Sequence, residues 1–524
     1  MSGEPLDIAI VGGGVSGVYS AWRLLTEGKR QGITVFEDAD HIGGRLLSVV
    51  PPKIPHMTAE LGGMRILPAI QPLITKLIDV LNGEAAPNEK IETYSFPVDQ
   101  LNNISYLRGV HLRLSDFTTD PAKVPYNMSF QEYGKTPGQL AVSAIEQIVP
   151  GITDPNLSEA QRRKLAQSGN FANRPLYWQG FWGVLMRVMS GEAYQLALAA
   201  GGYESTLTNW NAADAIPWYL SDFGIKPEYR GFRKGFQQVP LTLADRVRKA
   251  NGGIWCNTKV RGFDLQNGGV EVHLEDGRNI YAKHLILAMP RRALELLEPH
   301  SPLLRDKDVQ RLVHSVTPRP LFKLFTTYSD PWWLPAEVSK GRTTTDLPVR
   351  QTYYWPKDDG EPAEGGNAML MASYDDGVNI GFWDGFRNKR GLGWRADASG
   401  IGQRDLFEGV DDQAADPEWR KYRAPRRMVA EVERQLREVH GLKYTPDVRS
   451  AAYKDWGDDP FGGGWNSWNI GVKSWEVKSE ILKPLAGAPV YVCGEAYSDA
   501  QGWVEGALET ADAMLKKHFG ICSL

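Results

Sequence analysis

Cysteine is almost absent: Cys256, Cys493 and Cys522 are the three thiols in 524 residues. So few, so far apart, exclude a disulfide framework and a cysteine-ligated zinc site. No apolar run reaches the ~18 residues a membrane-crossing helix needs, so a membrane partner is not expected. Charge of one sign is also lacking. The 59 basic and 63 acidic side chains leave a net charge of -4, too mild for a nucleic-acid partner or an anchor on acidic lipid. Nine histidines show no H-E-x-x-H or related spacing, so no metal is expected. A nucleophile elbow G-x-S-x-G is missing, and Gly134-Lys135-Thr136 lacks the first glycine of a P-loop, where Ser129 stands. Nothing at Met1-Ser2-Gly3-Glu4-Pro5 resembles a basic-then-apolar leader, and the expectation is a cytoplasmic protein.

Glycine and tryptophan are what the chain has in excess. The 54 glycines make about a tenth of the residues, against a usual ~7%, and 17 tryptophans accompany them. Close backbone approach and flat apolar surfaces are implied. The 42% hydrophobic and 23% charged content is that of a globular protein. At about 100–200 residues per domain the length predicts two to four units.

The segment Leu6-Asp7-Ile8-Ala9-Ile10-Val11 reads as a buried parallel strand. Val15, Val18, Tyr19, Trp22 and Leu25 then recur at helical spacing up to Gly28, and Ile33–Glu37 reads as a second strand. This is a βαβ start. A helix is predicted over about 71–90, short strands over 92–114, and helices over most of 130–230. Alternation at Val270, Val272 and Leu274 predicts a strand, Asp276-Gly277 a hairpin turn, and His284–Met289 a further strand. Strands are also predicted at 321–328 and 367–374, and an amphipathic helix at 426–440. Residues 384–426 are polar and patternless, and read as an insertion or long surface loop. From Val490 the chain returns to strand, turn and helix.

Gly12-x-Gly14-x-x-Gly17 lies between the first strand and its helix. Gly12 allows the tight turn, Gly14 lets the backbone approach a pyrophosphate, and Gly17 lets the helix pack on the strand. The helix N-terminus offers free N–H groups to the phosphates. Glu37 ends the second strand, placed to accept hydrogen bonds from a ribose. The motif means a dinucleotide without separating NAD from FAD.

Gly43-Gly44-Arg45 follows the ribose acid and gives a second close approach, with positive charge on Arg45. Here the chain resembles the flavin-containing amine oxidase family. Val490–Ala496 and Gln501–Leu508 extend the resemblance. In that family this region contacts the flavin: Gly494 makes the turn, Glu495 would bond the ribityl chain, and the amide near Val504 would face the pyrimidine carbonyl. Glu60-Leu61-Gly62-Gly63-Met64-Arg65 is similar to the segment that L-amino-acid oxidases place beside the flavin. Gly63 and Met64 would touch the cofactor, and Arg65 would fork onto the substrate carboxylate. Alone, Arg65 reads as a surface ion pair.

The resemblance assigns Tyr374 as second carboxylate contact, although a buried structural tyrosine fits the same position. Lys323 stands alone in the apolar Leu321–Phe325. It is matched to the family lysine that bonds through water to flavin N5, against the alternative of a solvated strand face. Trp456, Trp465, Gly502 and Trp503 would line the flavin and substrate cavity, and Val260 would join the cofactor contacts. No cysteine stands at Gly462-Gly463-Gly464-Trp465, where some relatives tether the flavin, so non-covalent FAD is implied.

The implied fold is α/β: a Rossmann-like FAD-binding domain built from 1–62, 231–310 and 446–520, a mixed-sheet substrate-binding domain from 63–115 and 311–445, and a helical domain over 116–230. The implied activity is oxidation of L-amino acids by molecular oxygen to 2-oxo acids, ammonia and hydrogen peroxide. Oxidative decarboxylation to an amide and amine or polyamine oxidation stay open as alternatives. A homodimer is one assembly consistent with the sequence, and the oligomeric state is left open.

Overall fold

The computed structural model describes residues 5–223, 228–355, 366–387, 405–458 and 460–524. Its first sheet is centred on Leu6–Val11, which pairs in parallel with Ile33–Phe36 on one side and with Asn279–Leu287 on the other. Gly253–Trp255 extends one edge. On the other, the first half of Asn279–Leu287 pairs antiparallel with Gly269–Leu274, and its last residues pair in parallel with Val490–Val492. Val260–Gln266 completes the meander. Ile8, Ala9 and Ile10 are fully buried, which explains the unbroken apolar run: both faces of a parallel strand are covered.

Helices Val15–Thr26, Pro72–Gly83, Gln238–Lys249 and Val504–Phe519 share one core with Ile8 and Ile10. Ala9, Val11 and Leu285 face a second core with Leu303, Val313 and Val477. The second sheet runs Ser450–Asp455, Leu321–Tyr328, Ala368–Asp376, Gln351–Tyr354, Gly341–Thr345, Ile104–Leu107, Val110–Arg113. It is mixed, since Gly341–Thr345 and Ile104–Leu107 are parallel and its other pairs antiparallel. Strand alternation puts Phe322 and Leu324 against Met428, Val432 and Leu436 of the helix Arg426–Val439. Lys323 is left on the opposite face, which looks into the cavity described below.

Between these units lie helices Pro137–Ile148, Glu159–Ser168, Gly191–Gly201 and Ala212–Phe223. Capping boxes at Thr136/Gln139 and Ser158/Gln161 start the first two. Among the described residues, no helix is long and apolar enough to cross a membrane.

Three stretches depart from the sequence reading. Ser450–Asp455 pairs with Leu321–Tyr328 in the second sheet, so a boundary at 446 cuts it from its partner strand. Pro72–Gly83 packs with the first sheet through Ile74, Leu77 and Leu81. Glu505 holds it there by accepting from the backbone N–H groups of Leu73 and Ile74 at 2.9 Å each, supplying from another helix the cap its own sequence lacks. Finally, 384–426 is not all surface loop. Residues 388–404 lie outside the described residues, but Trp419 is fully buried and Ala424 joins the core under Arg426–Val439.

Candidate active site

The two glycine turns meet. Gly43 N–H donates to Gly13 O at 3.0 Å, and a Cβ on Gly44, whose φ is +58°, would stand 3.1 Å from Gly14 Cα. Side chains are excluded from this contact, and bare backbone faces the cavity. Gly17 acts differently. A Cβ there would lie 1.9 Å from Gly12 O, so it sets the packing of helix on strand and is not on the cavity wall. Gly14 caps the helix Val15–Thr26 with no side-chain acceptor, and Trp503 does the same for Val504–Phe519. Both N-termini therefore keep backbone N–H groups and a positive dipole end for a ligand.

A cavity of about 700 Å³ runs past both turns, within the ordinary range for a cofactor pocket. Gly12, Gly14, Glu37, Gly43, Gly44, Arg45 and Val260 line it, as do Gly63, Met64, Arg65 and Lys323. Tyr374, Trp456, Trp465, Gly494, Glu495, Gly502, Trp503 and Val504 complete the set expected from sequence. Glu37 accepts from Gly13 N at 2.6 Å and Ala39 N at 2.8 Å, and burial pushes its carboxyl up. The paired glycine turns, the uncapped helix ends and the acid at the strand end suit an extended dinucleotide. None of the three cysteines reaches the wall.

Glu495 is held on the cavity wall by four protein donors. Its Oε1 accepts from Asn466 N at 3.0 Å and Gly502 N at 2.7 Å, and its Oε2 from Arg45 Nη1 at 2.8 Å and Asn466 Nδ2 at 2.9 Å. A carboxylate has about four acceptor positions, and protein donors fill them. Glu495 thus clamps Arg45, the Trp465 strand and the Gly502 turn together at the cavity wall. Arg45 also donates to Gly464 O at 3.1 Å, so part of its expected charge on the pyrophosphate is already paired.

Lys323 is 1% exposed, which removes the solvated-face alternative. Its Nζ donates to Glu60 O at 3.1 Å and Gly62 O at 2.5 Å and lies 4.8 Å from the Tyr374 ring centre. Burial pushes the ammonium down against the pull of Glu60, and burial pushes the Glu60 carboxyl up. Glu60 in turn accepts from Ser48 Oγ at 2.6 Å and Phe236 N at 2.7 Å. The charge is held directly under the Gly62-Gly63 turn.

Arg65 is buried, not a surface ion pair. Nη1 donates to Tyr353 OH at 3.2 Å and Nη2 to Tyr203 OH at 3.3 Å, with the guanidinium 4.0 Å above the Tyr229 ring. Tyr229 OH donates to Asp222 at 2.6 Å. Among the described residues no carboxylate forms an ion pair with Arg65: hydroxyls are its hydrogen-bond partners, and the Asp222 carboxylate acts on it only at longer range, from behind Tyr229. Tyr374 stands edge-on to Tyr203 at 5.2 Å. Trp465 stacks on Trp218 at 5.5 Å and 12°, and Trp456 Nε1 donates to Leu61 O at 2.7 Å.

Sequence reasoning missed Tyr203, Thr206, Trp218, Asp222 and Phe223 on this wall. All come from the helical unit, where helical periodicity was legible and no motif was. It also missed Asp376, whose carboxyl burial pushes up to about 6, and the part of Glu60, which lay inside a quoted motif.

Comparison with known proteins places the chain in a family. Aplysianin-A of Aplysia kurodai is 27% identical over 99% of this chain and 91% of its own. Achacin of Lissachatina fulica is 25% identical over 98% and 93%, and an L-amino acid oxidase of Bothriechis schlegelii is 23% identical over 74% and 72%. The solved structure of putrescine oxidase bound to putrescine has a similar fold, with a TM-score of 0.63 at 16% identity over 97% of each chain. The sequence pattern described as flavin containing amine oxidoreductase matches residues 15–389 and 413–513. The chain belongs to that family, whose members use a flavin cofactor, amine substrates and oxygen.

Proposed function

We propose that the protein is an FAD-dependent L-amino-acid oxidase. It takes an L-amino acid, oxygen and water to a 2-oxo acid, ammonia and hydrogen peroxide, with FAD held non-covalently. The observation that carries this reading is Arg65, a guanidinium in the cavity wall without an ion-pair partner among the described residues. Leaving a buried charge unmatched is costly. A substrate carboxylate supplies the missing partner, and a planar fork receives it in two parallel bonds.

Tyr374 offers a second donor beside the fork. Burial holds its hydroxyl protonated, so at neutral pH it donates to a carboxylate. Together the two contacts fix the α-carbon in one orientation, the effect that converts a collision into a positioned reaction. Trp465, stacked on Trp218, and Trp503 exclude water around the amine. Lys323 presents a proton donor fixed by two backbone carbonyls, able to hold a water beside the substrate. Bound flavin supplies the two-electron oxidation of the amine and passes the electrons to oxygen. The absence of cysteine from the cavity wall supports the untethered cofactor.

Amine oxidation without a carboxylate clamp leaves Arg65 without a partner, and the likeness to putrescine oxidase concerns the fold alone. A peroxide assay across the common L-amino acids and their decarboxylated amines tests the proposal, with product mass read alongside. Peroxide and 2-oxo acid from the acids support it. Turnover of the amines alone, or an amide product, refutes it. Flavin released by denaturation and running as free FAD supports the non-covalent assignment, and flavin retained on the chain refutes it.

A further inference from the structure

The outer meander of the first sheet carries a cluster that the oxidase chemistry does not use. Asp264 lies on strand Val260–Gln266, His273 on Gly269–Leu274, and His300 on the loop that follows helix Arg291–Glu295. One ligand atom from each of these three residues lies within 4.8 Å of the others. Spacing in the sequence hid this group, because the two histidines are far apart and on different elements. Antiparallel register brings it together: Asp264 pairs with Glu271 and Gly262 with His273, so Asp264, Glu271 and His273 project on one face.

The geometry points to a bound divalent transition-metal ion of the zinc class, held by Asp264, His273 and His300. His273 is 9% exposed. Its Nε2 faces Asp264 Oδ2 at 3.6 Å and Glu271 Oε2 at 3.8 Å, too far for hydrogen bonds. The Asp264 separation lies at the upper end of the about 3.3–3.6 Å between ligand atoms that zinc bonds of about 2.0–2.2 Å impose in a tetrahedron, and the half-exposed His300, whose ligand atom lies within 4.8 Å, would close the remaining gap on binding. The other ring nitrogen, Nδ1, lies 3.3 Å from Glu298 Oε2, which also stands 3.3 Å from His300 Nε2 and so holds both rings at the cluster. A carboxylate on the far nitrogen fixes the ring and its tautomer, which is the usual support of a metal-bound histidine.

The loop that bears His300 is anchored before any ion arrives. Glu298 N–H donates to Arg261 O at 2.7 Å, and Ser301 Oγ accepts from Phe263 N at 3.2 Å. Gly262 makes this possible. A Cβ there would stand 2.6 Å from Ser301 Oγ and 2.7 Å from Glu298 Oε2, so a side chain would push the loop off the strand. His300 and Asp264 are about half exposed, which gives an ion an entry path and leaves a position for water or Glu271. Two imidazoles and a carboxylate favour zinc-like ions over magnesium or calcium, which prefer all-oxygen sites. The ion would tie strand Val260–Gln266 to the 296–301 loop, and both segments supply cavity wall through Val260, Leu296 and Leu297.

Zinc chloride titrated calorimetrically into tag-free, flavin-loaded protein freed of metal tests the site. One ion per chain is expected, with affinity at least tenfold weaker in His300→Ala and in Asp264→Asn, both half-exposed positions whose loss leaves the sheet intact. His314→Ala, outside the cluster, keeps wild-type binding. Zinc also raises the thermal midpoint of the wild type and not that of His300→Ala. No zinc binding by the wild type, undiminished binding in both cluster variants, or magnesium binding as tight as zinc overturns the inference.

Discussion

Removing the Arg65 fork is the sharpest perturbation. Arg65→Ala deletes two charge-assisted bonds to a substrate carboxylate, each worth about 1.5–3 kcal/mol. About 3–6 kcal/mol is lost in the transition state, and at about 1.4 kcal/mol per decade kcat/KM falls by about 10² to 10⁴. The protein's own bonds to this side chain, at 3.2 and 3.3 Å to Tyr353 and Tyr203, are long, so the guanidinium is not spent on them. KM for an L-amino acid should rise strongly. Arg65→Lys keeps a charge and loses the fork, and falls between the two. The decisive comparison is the decarboxylated amine of the same side chain, which never met the fork. Its turnover, however slow, should change less than tenfold in Arg65→Ala. Because Arg65 packs on the Tyr229 ring, each variant is first checked for bound flavin and an unchanged melting profile. Equal losses on acid and amine, or no loss on the acid, would refute the assignment.

Further outcomes follow from other contacts. Gly17→Ala places a methyl 1.9 Å from Gly12 O, so the purified variant should have lost its visible flavin absorbance; full flavin occupancy would contradict the packing argument. Lys323→Met removes a buried ammonium of similar length. Turnover should fall at least tenfold, and the melting midpoint should fall as well, because Glu60 O and Gly62 O lose their buried donor and Glu60 its nearby cation; unchanged turnover in the folded, flavin-loaded variant would remove Lys323 from the reaction. His440 accepts from Tyr354 OH at 2.6 Å on Nε2 and donates from Nδ1 to Leu436 O at 2.8 Å, and burial pushes it down to about 4 from 6.5. Between those values the unfolded chain binds the extra proton. Stability is therefore complete above about pH 6.5 and declines as pH falls toward 4, by up to about 3 kcal/mol. Urea unfolding across this range should show that slope in the wild type and a flatter one in His440→Phe, and equal slopes would sink the assignment.

Much of the fold was legible because its signals are local. The run Leu6–Val11, the glycines after it and the alternation at 270–274 each report the burial of one element, and each became the element expected. Ownership of an element was less legible. Pro72–Gly83 carries an apolar stripe that says helix, but nothing in that stripe says which sheet it covers, and its cap comes from Glu505 more than 400 positions later. Polar composition likewise misread 405–426. Trp419 is buried there with its Nε1 donating to Ser450 Oγ at 2.8 Å, and one tryptophan among charges gives no periodicity to detect.

The site divides along the same line. Residues that meet the dinucleotide turns lie in short motifs, since a backbone approach must be encoded by neighbouring glycines. The residues that orient Arg65 do not. Tyr203 and Tyr353 stand 138 and 288 positions from it, one on the helical unit and the other on the second sheet. Trp218 and Asp222 lie on the helix Ala212–Phe223. Arg65, the proposed carboxylate clamp, is thus a motif residue held by partners that only the fold assembles. That division has a chemical consequence. The glycine turns belong to the first sheet, whereas Tyr203, Thr206 and Trp218 bring the helical unit to the cavity wall, which on the proposed function meets the substrate side chain. Changes at Tyr203 or Trp218 can reshape the accepted side chain and leave the glycine turns, Glu37 and the Glu495 clamp as they are.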